Sequence, residues 1–271
     1  MYKVAFQGER GAFSEDAIIA FFKEADFVTY RNLRDVFEAV KRDTVEFGIA
    51  PAENSQAGSI NETYDLLLEF PLNIFGEVVL RVHHYLMALR GSTLNNITTI
   101  YSHPQALAQC DEYLRELNVD LIPAYNTAGA AKKIKEDKLI GHAAIANRRA
   151  AVIYGLDILA EEIETNPDNY TKFFIVGRQK PEKSTRNKTS LVFSVKNAPG
   201  TLYAGLGAFA SRGINLTKLE SRPMKNKPWE YVFYVDIEGH VEDKDCKEAL
   251  VDLDSSASFV KILGSYAAAQ V

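Results

Sequence analysis

The chain of 271 residues holds two cysteines, one tryptophan and five histidines, and it has no long run of one charge. Each scarcity removes a class of protein. Cys110 and Cys246 lie far apart in helix-like stretches of different domains, so they read as buried free thiols suited to a reducing cytosol. The histidines are scattered, and His83 and His84 are neighbours on an apparent strand, where successive side chains point to opposite faces. With no H-E-x-x-H and no cysteine pair, no metal site is expected. Lys and Arg number 31 against 36 Asp and Glu, a formal −5, and no basic block is long enough to track phosphates, so nucleic acid is not an expected partner. No apolar run approaches the roughly 18 residues of a membrane span. "MYKVAFQG" reads as a short strand ending in glycine and not as an export leader, so the cytoplasm is the expected location. The nucleotide P-loop, the G-x-G-x-x-G dinucleotide fingerprint and the G-x-S-x-G elbow are also missing, so no cofactor is expected.

What is present is alternation. "YKVAFQG" (Tyr2 to Gly8), "VEFGIA" (Val45 to Ala50), "ITTIY" (Ile97 to Tyr101), "DLIPAY" (Asp120 to Tyr125) and "LIGHAAIA" (Leu139 to Ala146) are strand-like, and each precedes a helical pattern. These helices start near Ser14, Ile60, His103, Ala128 and Arg148. That order predicts an α/β fold with largely parallel sheets, whose ligands bind at the carboxyl ends of the strands. The basic segment "RQKPEKSTRNK" (Arg178 to Lys188) lacks apolar residues and reads as a linker. Beyond it the pattern becomes strand–helix–strand–strand–helix–strand, the order of a ferredoxin-like sandwich. There "EYVFYVDI" puts Tyr231, Phe233, Val235 and Ile237 on one face, under the helices.

The loops after the strands carry the chemistry. "GERGAFS" places Gly8 and Gly11 before a helix that begins near Ser14, either a tight turn or a backbone cradle for an anion. In "PAENSQAGSINE", Ser59 and Glu62 form a capping box, which leaves Glu53, Asn54 and Ser55 for a pocket or a hydrated loop. In "SHPQALAQC", Ser102 and Gln105 fit S-x-x-Q capping, with Pro104 in the first turn. Leu107, Cys110, Leu114 and Leu117 share the core side of that helix, while Gln105 and Gln109 lie together on the other side, towards solvent or a cleft. Thr127 is the expected cap in "YNTAGAA", and "NYTKF" sets Asn169, Thr171 and Lys172 at the start of an apolar strand. Helix N-termini, hydroxyls and amides gathered on one edge suit a small organic ligand with several negative charges.

Taken together and in this order, "GERGAFSE", "PAENSQAGSI", "SHPQALAQC", "NYTKF" and "LTKLESRP" resemble the motifs of prephenate dehydratase with an appended ACT regulatory domain, over nearly the whole chain. The resemblance implies a two-lobed catalytic domain like type II periplasmic binding proteins over 1–178, with lobe one about 1–78 plus 160–178 and lobe two about 79–159. A linker over 179–188 and an α+β ferredoxin-like (βαββαβ) ACT domain over 189–271 complete it. Thr171 becomes the residue that donates to the departing hydroxyl, with Glu53 or a water as the source of the proton, and Asn54 and Gln109 share the catalytic group. Ser55, Ser102, Gln105, Thr127, Asn169, Lys172 and Phe173 surround the substrate. Lys172 stands where the family usually has arginine, which keeps the charge but loses the planar fork. Either the site tolerates a point charge or preference moves towards arogenate.

For the tail, the resemblance implies L-phenylalanine as an effector between paired ACT domains. Asn197, Ala198, Gly200, Thr201 and Leu202 would hold its carboxylate at a helix start. Leu219, Glu220, Ser221 and Arg222 would line the same interface. The partners implied are prephenate, L-phenylalanine and a second copy of the chain, with a dimer through ACT domains assembled into a tetramer. A non-catalytic amino-acid sensor of the same architecture is the competing reading, and the threonine in "NYTKF" argues against it.

Overall fold

The computed structural model describes residues 1–224 and 229–269. Its first sheet gathers five strands in the order β2-β1-β3-β11-β5: β1 (Tyr2–Gln7), β2 (Ala25–Tyr30), β3 (Phe47–Asn54), β5 (Asn73–Arg81) and the late-returning β11 (Tyr170–Gly177). A two-residue strand β4 (Gly58–Ser59) folds back on the end of β3. Helices α1 (Phe13–Phe22), α2 (Leu33–Lys41) and α3 (Asn61–Glu69) connect them. The sequence reading placed nothing between α1 and β3, yet β2 and α2 occupy that stretch. Leu33, Val36, Phe37 and Val40 of α2 are all buried, a stripe with the helical period, and β2 is the half-exposed edge strand.

The chain leaves this lobe after β5 and builds a second sheet in the order β10-β6-β9-β7-β8. Its strands are β6 (Tyr85–Ala88), β7 (Thr99–Ser102), β8 (Asp120–Pro123), β9 (His142–Ala146) and β10 (Asp157–Ala160). Four helices cover it: α4 (Pro104–Gln109), α5 (Asp111–Arg115), α6 (Thr127–Glu136) and α7 (Arg148–Tyr154). One side packs around Cys110, Leu114, Ile100 and Ile145, the other around Ile134, Ala144 and Ala150. The helix expected from His103 is broken at Cys110, whose φ of −108° and ψ of 18° lie off helical geometry. The core side predicted from Leu107, Cys110, Leu114 and Leu117 is the one buried.

Contacts divide the chain into two compact units, Met1–Thr63 with Val78–Phe173, and Tyr64–Glu77 with Phe174–Val271. The second unit contains an antiparallel sheet, β13-β14-β12-β15, built from β12 (Asn187–Ser194), β13 (Leu216–Pro223), β14 (Tyr231–Glu238) and β15 (Phe259–Ala267). Helices α8 (Thr201–Ala210) and α9 (Lys244–Ser256) cover one face, with Phe193, Phe209, Val235, Ile237 and Leu253 in the core between. Phe233, Val235 and Ile237 do face the helices; Tyr231, at the strand's start, stays half-exposed.

The opposite face is covered too. Residues Tyr64–Glu77 lie against it, which the alternation in β14 alone did not reveal. The Tyr234 ring meets Tyr64 with centroids 5.1 Å apart, and the Tyr234 hydroxyl donates to the Tyr64 carbonyl. Arg222 pairs with Asp65 at 2.6 Å and Lys188 with Glu77 at 2.6 Å. Lys261 donates to the carbonyls of Leu67, Leu68 and Phe70, so its ammonium caps the negative end of α3. Burial pushes the Lys261 pKa below the usual lysine value.

Gly264 shows how close this approach is: a Cβ there would lie 2.4 Å from the Ile74 carbonyl oxygen. Gly264→Ala should therefore force the backbones apart and destabilise the protein by about 1–3 kcal/mol. Urea unfolding checks this through a lower midpoint at unchanged slope; an unaltered midpoint would mean that residue 74 can yield without cost.

Candidate active site

Neighbouring strands β3 and β11 end side by side, and one amide ties their ends together. Asn54 Nδ2 lies 2.8 Å from Asn169 Oδ1, 3.0 Å from Thr171 Oγ1 and 3.2 Å from the Tyr170 carbonyl. Asn54 Oδ1 in turn accepts the backbone N–H groups of Gln56 and Ala57, a side chain holding its own turn. All three polar residues, Asn54, Asn169 and Thr171, are buried. Because Thr171 Oγ1 accepts from Asn54, the threonine proton is directed away from it and remains a donor.

Thr171 lines a cleft of ≈ 360 Å³ within the first unit. Its walls come from strand ends and helix starts: Gln7 and Gly8 after β1, Pro51 and Asn54 from β3, Ile60 before α3, and Thr171 with Phe173 from β11. The second lobe supplies His103, Gln105 and Gln109 around α4, and Tyr125, Asn126 and Thr127 at the start of α6. Gln105 and Gln109 thus both line the cleft, Gln109 partly buried and Gln105 also open to solvent. Ser14, Val82 and His84 also line it and were not singled out from the sequence as site residues.

Two capping assignments change. His103, not Ser102, caps α4, its Nδ1 accepting the Gln105 N–H. Asn126, not Thr127, caps α6, its Oδ1 accepting the Gly129 N–H. Each cap consumes one helix N–H donor, so amide and hydroxyl side chains supply more of the cleft's polarity. Ser59 lies in β4, opposite Glu53.

Five of the expected residues stand around the cleft and not on its wall: Glu53, Ser55, Ser102, Asn169 and Lys172. Strand alternation explains β11, where Thr171 and Phe173 face the cleft and Lys172 between them does not. Lys172 Nζ reaches Glu53 Oε2 at 3.1 Å, across the two strands. Ser55 Oγ donates to the Asp168 carbonyl and accepts the Tyr170 N–H, stapling the β3 turn to the entry of β11. Ser102 Oγ donates to the Ile145 carbonyl in the interior of the second sheet.

The motif after β1 also has a use that composition did not suggest. Glu15, fully buried, accepts the Gly11 N–H at 2.7 Å and pairs with Arg10. Asp16 accepts from Arg149 and Asn147 of the second lobe. Burial is the largest cause of the raised Asp16 pKa, which the contact with Arg149 opposes. At Gly11, whose φ is +84°, a Cβ would lie 2.8 Å from Ala150 Cα, so glycine permits this approach of α7. The two lobes are thereby clasped beside the cleft.

In the C-terminal sheet, the residues expected at an effector site lie at the start of α8 and along the edge strand β13. Gly200 adopts left-handed geometry at φ +81° before α8. Thr201 Oγ1 contacts the carbonyls of Lys196 and Ala198, and Asn197 donates to the Trp229 carbonyl. Leu219 is half-exposed, Glu220 contacts Lys218, and Arg222 reaches Asp65.

Fold and cleft together define a two-lobed α/β enzyme followed by a ferredoxin-like domain. The family model for prephenate dehydratase matches residues 4–181 and that for the ACT domain residues 189–255. The chain is 42% identical over 97% of its length, and 72% of the relative's, to arogenate dehydratase/prephenate dehydratase 2 of Arabidopsis thaliana. A solved prephenate dehydratase from Arthrobacter aurescens in complex with L-Phe superposes with a TM-score of 0.89 at 33% identity, covering 98% of this chain and 90% of that one. A solved structure described as a novel type of quorum quenching acylase gives 0.91 at 34%, covering 98% of both chains. This chain belongs to the prephenate dehydratase family and carries the ACT domain. No described helix is long and apolar enough to cross a membrane.

Two cleft imidazoles should leave a mark on stability. Burial lowers the pKa of His84 and of His103 below the usual 6.5. As pH falls below 6.5 the unfolded chain takes up protons there before the folded chain does, so stability declines through the depressed folded values. The decline is at most about 1.4 kcal/mol per pH unit for each imidazole. The urea midpoint should drop as pH falls through this window, and the drop should be shallower in His103→Asn. Equal slopes in the two proteins would exclude a contribution from His103.

Proposed function

We propose that the cleft converts prephenate to phenylpyruvate, and that the donor hydroxyl of Thr171 is the group that makes this possible. In the reaction the bond from the ring to its carboxylate breaks and CO₂ departs. The freed electron pair shifts through the cyclohexadiene and expels the hydroxyl on the opposite ring carbon, which leaves as water once protonated. Aromatisation makes the step strongly downhill, so the site has to orient and to stabilise the departing oxygen. The observation that carries the proposal is the Asn54 contact to Thr171 Oγ1, which leaves the threonine proton for the leaving group.

An aliphatic hydroxyl is a weak acid near neutral pH, so Thr171 acts as a relay for a proton taken from solvent. Glu53, the other candidate source, is engaged with Lys172 and stands off the cleft wall. Gln105, Gln109 and Thr127 present neutral polar groups to the two carboxylates, while Phe173 shapes the wall. Neutral donors suit the chemistry, since a cationic pocket would stabilise the ground-state carboxylate against loss of CO₂. Asn169 and Ser55 support the β3–β11 corner, and Ser102 supports the second sheet. Because Lys172 grips Glu53, the replacement of the family's arginine does not act by direct grip on substrate. Arogenate is the second reading, favoured by the arogenate dehydratase names among the relatives. An acylase reading has less to carry it, since a nucleophilic hydroxyl needs a base in contact, and the contact at Thr171 Oγ1 is a donating amide.

L-Phenylalanine is the proposed feedback inhibitor. It would bind where two copies pair their β13 edges, between the start of α8 in one copy (Asn197, Ala198, Gly200, Thr201, Leu202) and Leu219 to Arg222. An exposed strand edge carrying the half-exposed Leu219 supports such pairing. The assembly is a dimer through these domains and a tetramer from two dimers, located in the cytoplasm. Coupling of about 1–3 kcal/mol between effector and cleft is typical of such inhibition.

Purified protein given prephenate should form phenylpyruvate, less of it with L-phenylalanine present, and arogenate in a parallel reaction reads out preference. Thr171→Ala should lower turnover about 10²-fold or more, whereas Thr171→Ser, which keeps the donor, should lose far less. Near-normal turnover in the alanine variant would remove Thr171 from the mechanism.

A further inference from the structure

We propose that His84, backed by Glu164, is a positioning residue that fixes which end of the Gln109 side-chain amide faces the cleft. The inference rests on the reading of the cleft as a site for a doubly negative substrate. An amide has a donor end and an acceptor end of nearly equal shape, so only a neighbour of defined polarity can tell them apart.

His84 is such a neighbour. Its Nε2 lies 2.8 Å from Gln109 Oε1, and the residue is 1% exposed. The ring is neutral, since burial opposes its charge, and so carries a single N–H. Its Nδ1 is buried with no hydrogen-bond partner among the described residues. A proton on Nδ1 would bury an unpaired donor and set the Nε2 lone pair against the Gln109 oxygen. A proton on Nε2 satisfies that oxygen and leaves only a bare acceptor behind. The glutamine oxygen is therefore occupied, and its N–H groups are left for the cleft.

The pair is held from behind by one short segment. Glu164 Oε2 accepts the His84 backbone N–H at 2.9 Å, and its Oε1 contacts His83 Nδ1 at 2.9 Å. The next residue, Thr165, donates its N–H to the Gln109 carbonyl at 2.8 Å. Phe13 meets the His84 ring edge-on, with centroids 5.8 Å apart, and limits its rotation. A reversed amide would present oxygen to a carboxylate and replace attraction by repulsion, so the imidazole acts on the substrate only through Gln109.

In the full-length protein with prephenate as substrate, His84→Leu removes the donor, and His84→Gln offers an amide N–H at comparable reach. His84→Leu should lower kcat/KM about 10²-fold, the size of one lost oriented donor, and His84→Gln should recover most of it. Gln109→Ala should lose a similar factor, and the double variant His84→Leu, Gln109→Ala should be no worse than Gln109→Ala. Losses that multiply in the double variant, or full activity in His84→Leu, overturn the proposal. Should His84→Leu fail to fold, the unsubstituted protein decides. Imidazole ¹⁵N shifts must report the Nε2–H tautomer, and an Nδ1–H tautomer overturns it. That measurement needs no turnover, so it is distinct from failure of the cleft reading, in which the unsubstituted protein forms no phenylpyruvate.

Discussion

The Asn54 amide is the contact on which the cleft depends. It joins segments 115 and 117 residues apart, holding Asn169 and Thr171 on one side and its own turn on the other. A buried amide so placed must have its partners, since an unsatisfied polar group costs about 1–3 kcal/mol in the interior. The same requirement that stabilises the corner also decides the chemistry. With one lone pair engaged by Asn54, Thr171 keeps its proton free to be donated towards the cleft.

Charge is managed by exclusion. Glu53 with Lys172, and Glu15 with Arg10, are paired close to the cleft but off its wall, and Asp16 with Arg149 lies beside the junction of the lobes. Amides, hydroxyls and a buried imidazole line the cavity itself. In a partly enclosed site such dipoles act at short range without trapping the carboxylate that has to leave. Lys172 belongs to the outer pairing. A lysine can meet one carboxylate oxygen, as it does at Glu53, without the two-pronged grip of a guanidinium.

Helix α3 links two environments through covalent continuity. It starts directly after Ile60, a cleft residue, and its later turns bear Tyr64 and Asp65, which meet Tyr234 and Arg222. Lys261 holds its final carbonyls.

Much of this was readable in order along the chain. Strand-then-helix alternation, the switch near Gly177 to a ferredoxin-like order, and the placement of Gln105 and Gln109 opposite Leu107 and Leu114 all follow from periodicity, which needs only near neighbours. Local patterns were less able to choose between adjacent candidates. Ser102 and Thr127 have the right chemistry for caps, yet His103 and Asn126 take those roles, because one residue's shift in where a helix starts is decided by packing. Nor did the residues around His84 signal its role, as its partners Gln109 and Glu164 lie 25 and 80 positions away. By itself the sequence determined the alternation of strand and helix around the cleft, its period and the inventory of donors. Only the tertiary structure decided which donors face the cavity and which are used up by neighbours, because a hydrogen bond's direction depends on partners brought together from distant parts of the chain.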